Sequence, residues 1–138
     1  MKNNIFTLLF ILISSFVFSQ GQDLFKDLQK KNDGKYYLKS ENELYSGKVF
    51  AKHKNGKIGL QGNLKDGVFD GHWTWWYDDG AKKRETNYVN GKKEGISYWW
   101  HKNGVKKSEI QFHDNRNISQ KRWDKNGNKL RNPRMGRA

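Results

Sequence analysis

A glycine recurring at a fixed interval restricts this chain more than any other feature. Gly47, Gly71 and Gly95 lie 24 residues apart, Gly56, Gly80 and Gly104 keep that spacing, and Gly127 follows after 23. Gly67 and Gly91 hold a third register that Asn115 continues, and asparagine also tolerates the positive φ for which glycine is used. Other classes follow: Leu64, Tyr88 and Phe112; Gln61, Glu85 and Glu109; Ala51, Trp75 and Trp99; Lys52, Trp76 and Trp100. A period held by so many positions marks a repeat architecture, in which each unit buries its apolar side against its neighbours. It also excludes a helical core here, because glycine costs about 1 kcal/mol per residue in a helix.

Each unit reads as two strands and two turns. Gly71 to Tyr77 is rich in rings and suits a strand. Asp78-Asp79-Gly80 makes a turn, Lys82 to Tyr88 returns, and Asn90-Gly91 is a two-residue hairpin signal. The next unit repeats this as Ile96 to His101, Lys102-Asn103-Gly104 and Lys106 to Phe112. The first unit is Val49 to His53, Asn55-Gly56 and Ile58 to Leu64. The last runs Ser119 to Asp124, Lys125-Asn126-Gly127, then a short Asn128-Lys129-Leu130. The pattern predicts an all-β fold, an elongated antiparallel meander of consecutive β-hairpins. Alternation puts Trp73, Trp75 and Tyr77 on one face with Trp99, and Thr74, Trp76, Tyr98 and Trp100 on the other. Both faces of the central hairpins therefore carry rings.

The flanks differ. Lys2 precedes an apolar run from Ile5 to Phe18. That run falls short of the ~20 residues a bilayer core needs. Val17 and Ser19 suit a signal peptidase site, so residues 1–19 read as a signal peptide rather than an uncleaved membrane anchor, with Gln20 or a nearby residue as the new N-terminus and no transmembrane segment after cleavage. Residues 20–44 read as a cap. In it Leu24, Phe25 and Leu28 predict a short N-terminal helix, and Lys35 to Lys39 a strand. Residues 45–131 hold the repeats, and residues 132–138 read as a basic disordered tail. The formal charge of +13 becomes +12 once Lys2 leaves with the leader. The absence of cysteine excludes disulfides, Cys-based zinc sites, a thiol nucleophile and a lipoprotein anchor.

The pattern G-x-W-x-x-W-x-x-x-G over Gly71–Gly80, followed by Glu85, Tyr88, Gly91 and Gly95, resembles the MORN-repeat variant. That variant occurs in bacterial proteins labelled "toxin–antitoxin system YwqK-type antitoxin". The unit from Gly95 matches with Ser97 in the first aromatic place, and the first has Val49 and Lys52 where rings are expected. The last keeps Trp123 and Gly127 but lacks the opening glycine. The resemblance implies β-hairpins in a twisted sheet, and contacts with phospholipids or proteins.

Catalysis needs an acid, base or nucleophile held near partners, and the chain offers none in that form. His53 and His101 stand two periods apart with Tyr77 between them, which reads as variation at one strand position. Glu85 and Glu109 read as partners of neighbouring lysines or arginines. No catalytic site, metal or cofactor is expected. The remaining chemistry is basic and aromatic: Lys82-Lys83-Arg84, Lys92-Lys93, Lys106-Lys107 and Lys121-Arg122 recur beside the rings. The predicted binding surface is Trp73, Trp75, Trp76, Tyr98, Trp99, Trp100 and Trp123 with Lys83, Arg84 and Lys107. The expected role is an exported, non-catalytic binding or scaffold protein of the periplasm or cell envelope. Its partner would be a protein or an anionic lipid or glycan, with nucleic acid disfavoured by export. The alternative is an antitoxin-like or immunity protein that neutralises a partner toxin.

Overall fold

Asn90 and Gly91 both take positive φ, 49° and 80°, so the two-residue turn twists with the strands it joins. Asp66-Gly67 repeats this at 49° and 75°, and Asp114-Asn115 at 51° and 66°, with Asn115 standing where glycine stands in the other two units. A computed structural model of the protein describes residues 22–131. The expected signal peptide and basic tail lie outside the described residues.

The strands are β1 (Gln22–Asp23), β2 (Leu28–Lys30), β3 (Tyr36–Leu38), β4 (Gly47–Lys52), β5 (Ile58–Lys65) and β6 (Val68–Trp76). There follow β7 (Lys82–Val89), β8 (Lys92–Lys93), β9 (Gly95–Trp100), β10 (Lys106–His113), β11 (Arg116–Trp123) and β12 (Lys129–Leu130). Ten of them form one sheet in the order β1-β4-β5-β6-β7-β9-β10-β11-β12, with β8 beside β7. From β4 onward every pair is antiparallel, as hairpin connections require. Only β1 runs parallel to its neighbour, β4. The expected N-terminal helix is absent: no helix occurs among the described residues. Asp23 and Asp27 explain the difference. The Asp23 carbonyl accepts the Asp27 N–H, its carboxylate accepts those of Phe25 and Lys26, and the Asp27 carboxylate accepts the Asp23 N–H. One closed turn then buries both Leu24 and Leu28 while leaving Phe25 exposed, so the apolar stripe is satisfied without a second turn.

The cap folds over one face of the sheet. Leu24, Leu28 and Tyr45 are buried with Val49, Ala51, Leu64, Trp73 and Tyr88, and Tyr36, Leu38 and Phe69 pack against them. Trp73 is the centre of this core at 0% exposure. Its ring stacks on Phe69 with centroids 3.7 Å apart, and its indole N–H donates to the Asn63 carbonyl at 3.0 Å. Burying a ring of that size is the largest single apolar contribution available to a chain poor in aliphatics.

Side chains also tie each unit to the next. The Tyr77 hydroxyl donates to the Trp100 carbonyl at 2.8 Å. His53 bonds the Trp76 carbonyl at 3.0 Å and His101 the Trp123 carbonyl at 2.9 Å, so all three residues do one job at one repeat position. Ser46, Asp70 and Glu94 form a second set, each accepting the backbone N–H of a hairpin residue, Asp66, Asn90 and Asp114 respectively.

Candidate binding surface

Strand pairing lines residues up in rows across the sheet. On the capped face one row runs Ala51, Leu60, Trp75, Arg84, Trp99, Ser108, Arg122, Leu130. On the opposite face the matching row is Phe50, Gln61, Thr74, Glu85, Tyr98, Glu109, Lys121. The two rows differ in charge. The first holds two arginines and no carboxylate; the second holds both repeat glutamates.

The glutamate row satisfies itself. Glu85 pairs with Lys82, and Glu109 with Lys106 at 3.2 Å and Lys121 at 3.0 Å. The hydrogen bond from Lys121, then that from Lys106, holds the Glu109 carboxyl below the usual glutamate range. The same lysines lie over the rings: Lys82 is 5.3 Å from Trp100, and Lys106 is 4.8 Å from Tyr98 and 5.6 Å from Trp123. Cation–π contact of this kind is modest at exposed sites, about 0.5–1 kcal/mol, but it occupies the ring faces.

The arginine row is arranged otherwise. Arg84 lies between Trp75 and Trp99, its guanidinium carbon 4.2 Å and 5.1 Å from the ring centroids. It donates to the Thr86 hydroxyl and the Tyr88 hydroxyl, both at 2.9 Å, and forms no ion pair with any described carboxylate. Burial, with Arg84 nearby as a second cause, pushes the Lys93 ammonium down. Farther along the row, Trp99, Ser108 and Arg122 line an open groove of about 620 Å³, with His101, Lys107, Ile110, Gln120, Trp123, Asp124, Lys125 and Leu130. No described residue of the cap lines it.

The expected ten-residue surface is thus divided. Trp75, Trp99, Arg84 and Lys107 belong to the arginine side. Tyr98 and Trp100 lie under lysines on the other, Trp123 lies under Lys106 and also borders the groove, and Lys83, exposed, lies 5.4 Å from the Tyr77 ring. Trp76 is half-buried with its carbonyl taken by His53. Trp73 leaves the surface altogether, because the cap covers it. The expected surface omits Arg122, which the sequence shows only as half of the basic pair Lys121-Arg122. The last period is 23, so Arg122 occupies the place of Trp75 and Trp99; that one-residue slip was the available signal. His101 and His113 stand at opposite ends of the β9–β10 hairpin and bond to the Trp123 carbonyl and to Glu94, so they share no ligand. The described residues hold no group of three or more His, Asp or Glu side chains placed for a metal ion.

The family model of the MORN repeat variant matches residues 69–90 and 93–114. These are the two units built on β6–β7 and on β8–β10, so the central hairpins are similar to repeats of that type. Repeats of this type generally act as binding or scaffold modules and are typically non-catalytic. No curated protein and no solved structure matches the chain.

Proposed function

We propose that this protein is an exported, non-catalytic binding module of the cell envelope. Its contacts run through the arginine-bearing face, with Trp75, Arg84, Trp99, Lys107 and Arg122 as the principal side chains. One observation carries the reading: this row collects rings and guanidinium groups without a carboxylate, while the opposite row neutralises its own charges. A fold selected only for solubility has no reason to separate its charges by face. Rings beside unpaired cations favour an anionic partner, and a guanidinium already held between two indoles loses little freedom on binding.

The test is retention of the purified protein on an isolated envelope fraction. Binding at low ionic strength that is released by salt, and weakened by Arg84→Gln, supports the reading. Absence of retention at low ionic strength overturns it. Recovery of one stoichiometric protein, indifferent to salt, would instead favour the antitoxin-like role.

A further inference from the structure

The groove beyond Trp99 differs from the Arg84 site in one respect. In the row, Arg84 fills the place between Trp75 and Trp99, whereas the equivalent place between Trp99 and Arg122 is held by Ser108, a small residue. Space that a guanidinium takes in the preceding unit is open here. Arg122 is half-buried at its wall, paired through its backbone with Ser108 and Leu130, while its guanidinium forms no ion pair with any described carboxylate. Lys107 and Lys125 add positive charge at the rim. The one carboxylate lining the groove, Asp124, is turned into its own loop. It accepts the backbone N–H groups of Asn126 and Asn128, both at 2.9 Å, and the Asn128 side-chain amide at 3.0 Å, which hold its carboxyl below the usual range.

We propose that this groove binds an acidic saccharide, with a sugar ring against Trp99 and its carboxylate or phosphate on Arg122. The inference rests on the reading of the arginine face as the binding surface. Charge complementarity selects the anion, and the indole wall selects a flat body with C–H groups. The position on a sheet face disfavours an extended peptide. Such a peptide binds by adding a strand to an edge, and over a face its N–H and C=O groups find no backbone partners. A sugar presents hydroxyls instead, and Ser108 brings a hydroxyl, both donor and acceptor, to the lining of the groove. A guanidinium is also the side chain best suited to a planar carboxylate or a phosphate, through paired hydrogen bonds.

The experiment is calorimetric titration of the purified protein, paired with tryptophan fluorescence, using trigalacturonate and glucose 6-phosphate as probes. Maltotriose and pentaglutamate serve as the neutral and the acidic non-sugar controls. Saturable binding of either acidic sugar, with weak or no response to both controls, is expected, and the stronger of the two identifies carboxylate or phosphate as the anion. Arg122→Gln is expected to weaken it about tenfold, the effect of losing one charge-assisted pair. Thermal unfolding of that variant should be little changed, since the substitution keeps the backbone pairing of Arg122 with Ser108 and Leu130 and breaks no ion pair with a described carboxylate. Arg122→Lys should recover part of the affinity. No binding of either sugar, equal binding by Arg122→Gln, or pentaglutamate binding as tightly would overturn the proposal. Envelope retention without sugar binding would remove it while leaving the broader reading standing.

Discussion

The indole of Trp73 occupies the space that a side chain at position 62 would need: a Cβ built on Gly62 falls well inside the van der Waals contact of the ring. Gly62 is not required here for its φ, so the constraint is one of room alone. Trp73 cannot yield, being fully buried, stacked on Phe69 and bonded to the Asn63 carbonyl. Gly62→Ala is therefore expected to cost about 1–3 kcal/mol, the usual range for overpacking a filled core. Urea unfolding measures it. Combining the change with Trp73→Phe should be less damaging than the sum of the two, because the smaller ring relieves the clash. Strict additivity would show that the indole is not the obstacle.

The tie between Tyr77 and Trp100 gives a second test. Tyr77→Phe removes the donor to the Trp100 carbonyl and nothing else of comparable size. The expected loss is about 0.5–1.5 kcal/mol, with no change in the far-ultraviolet spectrum. Tyr77→His should retain part of the stability, since His53 and His101 make the same bond at their own positions. A histidine no better than phenylalanine would mean that the three positions are not equivalent.

Much of this fold was legible before any coordinates, and the reason is physical. Hairpin turns need positive φ, few residues supply it, and so Gly67, Gly91 and Asn115 announce their turns. The equivalence of His53, Tyr77 and His101 could be read from the period, because one repeat position has one geometry. What the period did not disclose was coverage. Trp73 and Trp75 alternate onto the same face, yet the cap buries Trp73 completely and leaves Trp75 in reach of Arg84. That distinction depends on where Leu24, Leu28 and Tyr45 fold back, over 20 residues away in sequence. The expected helix failed for a related reason: two aspartates closed a single turn, and the strand pairing of β1 and β2 took the backbone on either side.

Export predicts a defined mature terminus. If residues 1–19 are removed as the apolar run and the small residues at 17 and 19 suggest, N-terminal sequencing of protein recovered from outside the cytoplasm should begin at Gln20 or an adjacent residue. Replacing Ser19 by a bulky residue should leave the leader attached. Recovery of full-length protein from the cytoplasm alone would defeat the export reading without touching the fold.

Acid should loosen the glutamate row before it affects the core. Hydrogen bonds from Lys121 and Lys106 hold Glu109 below its ordinary value of 4.5, so the folded state stabilises the ionised form. A group depressed in this way contributes fully above its unfolded pKa, and the contribution fades as pH falls through the lower, folded value. The stability gap between the native protein and Glu109→Gln should therefore be present at pH 7, begin to close below about pH 4.5 and vanish in stronger acid, where both side chains are neutral. The gap itself is expected to be small, because exposed pairs seldom exceed about 1 kcal/mol. Salt should shrink it at pH 7 for the same reason. Chemical unfolding at several pH values measures the difference directly. A gap that widens toward low pH would show that Glu109 is held by something other than its two lysines.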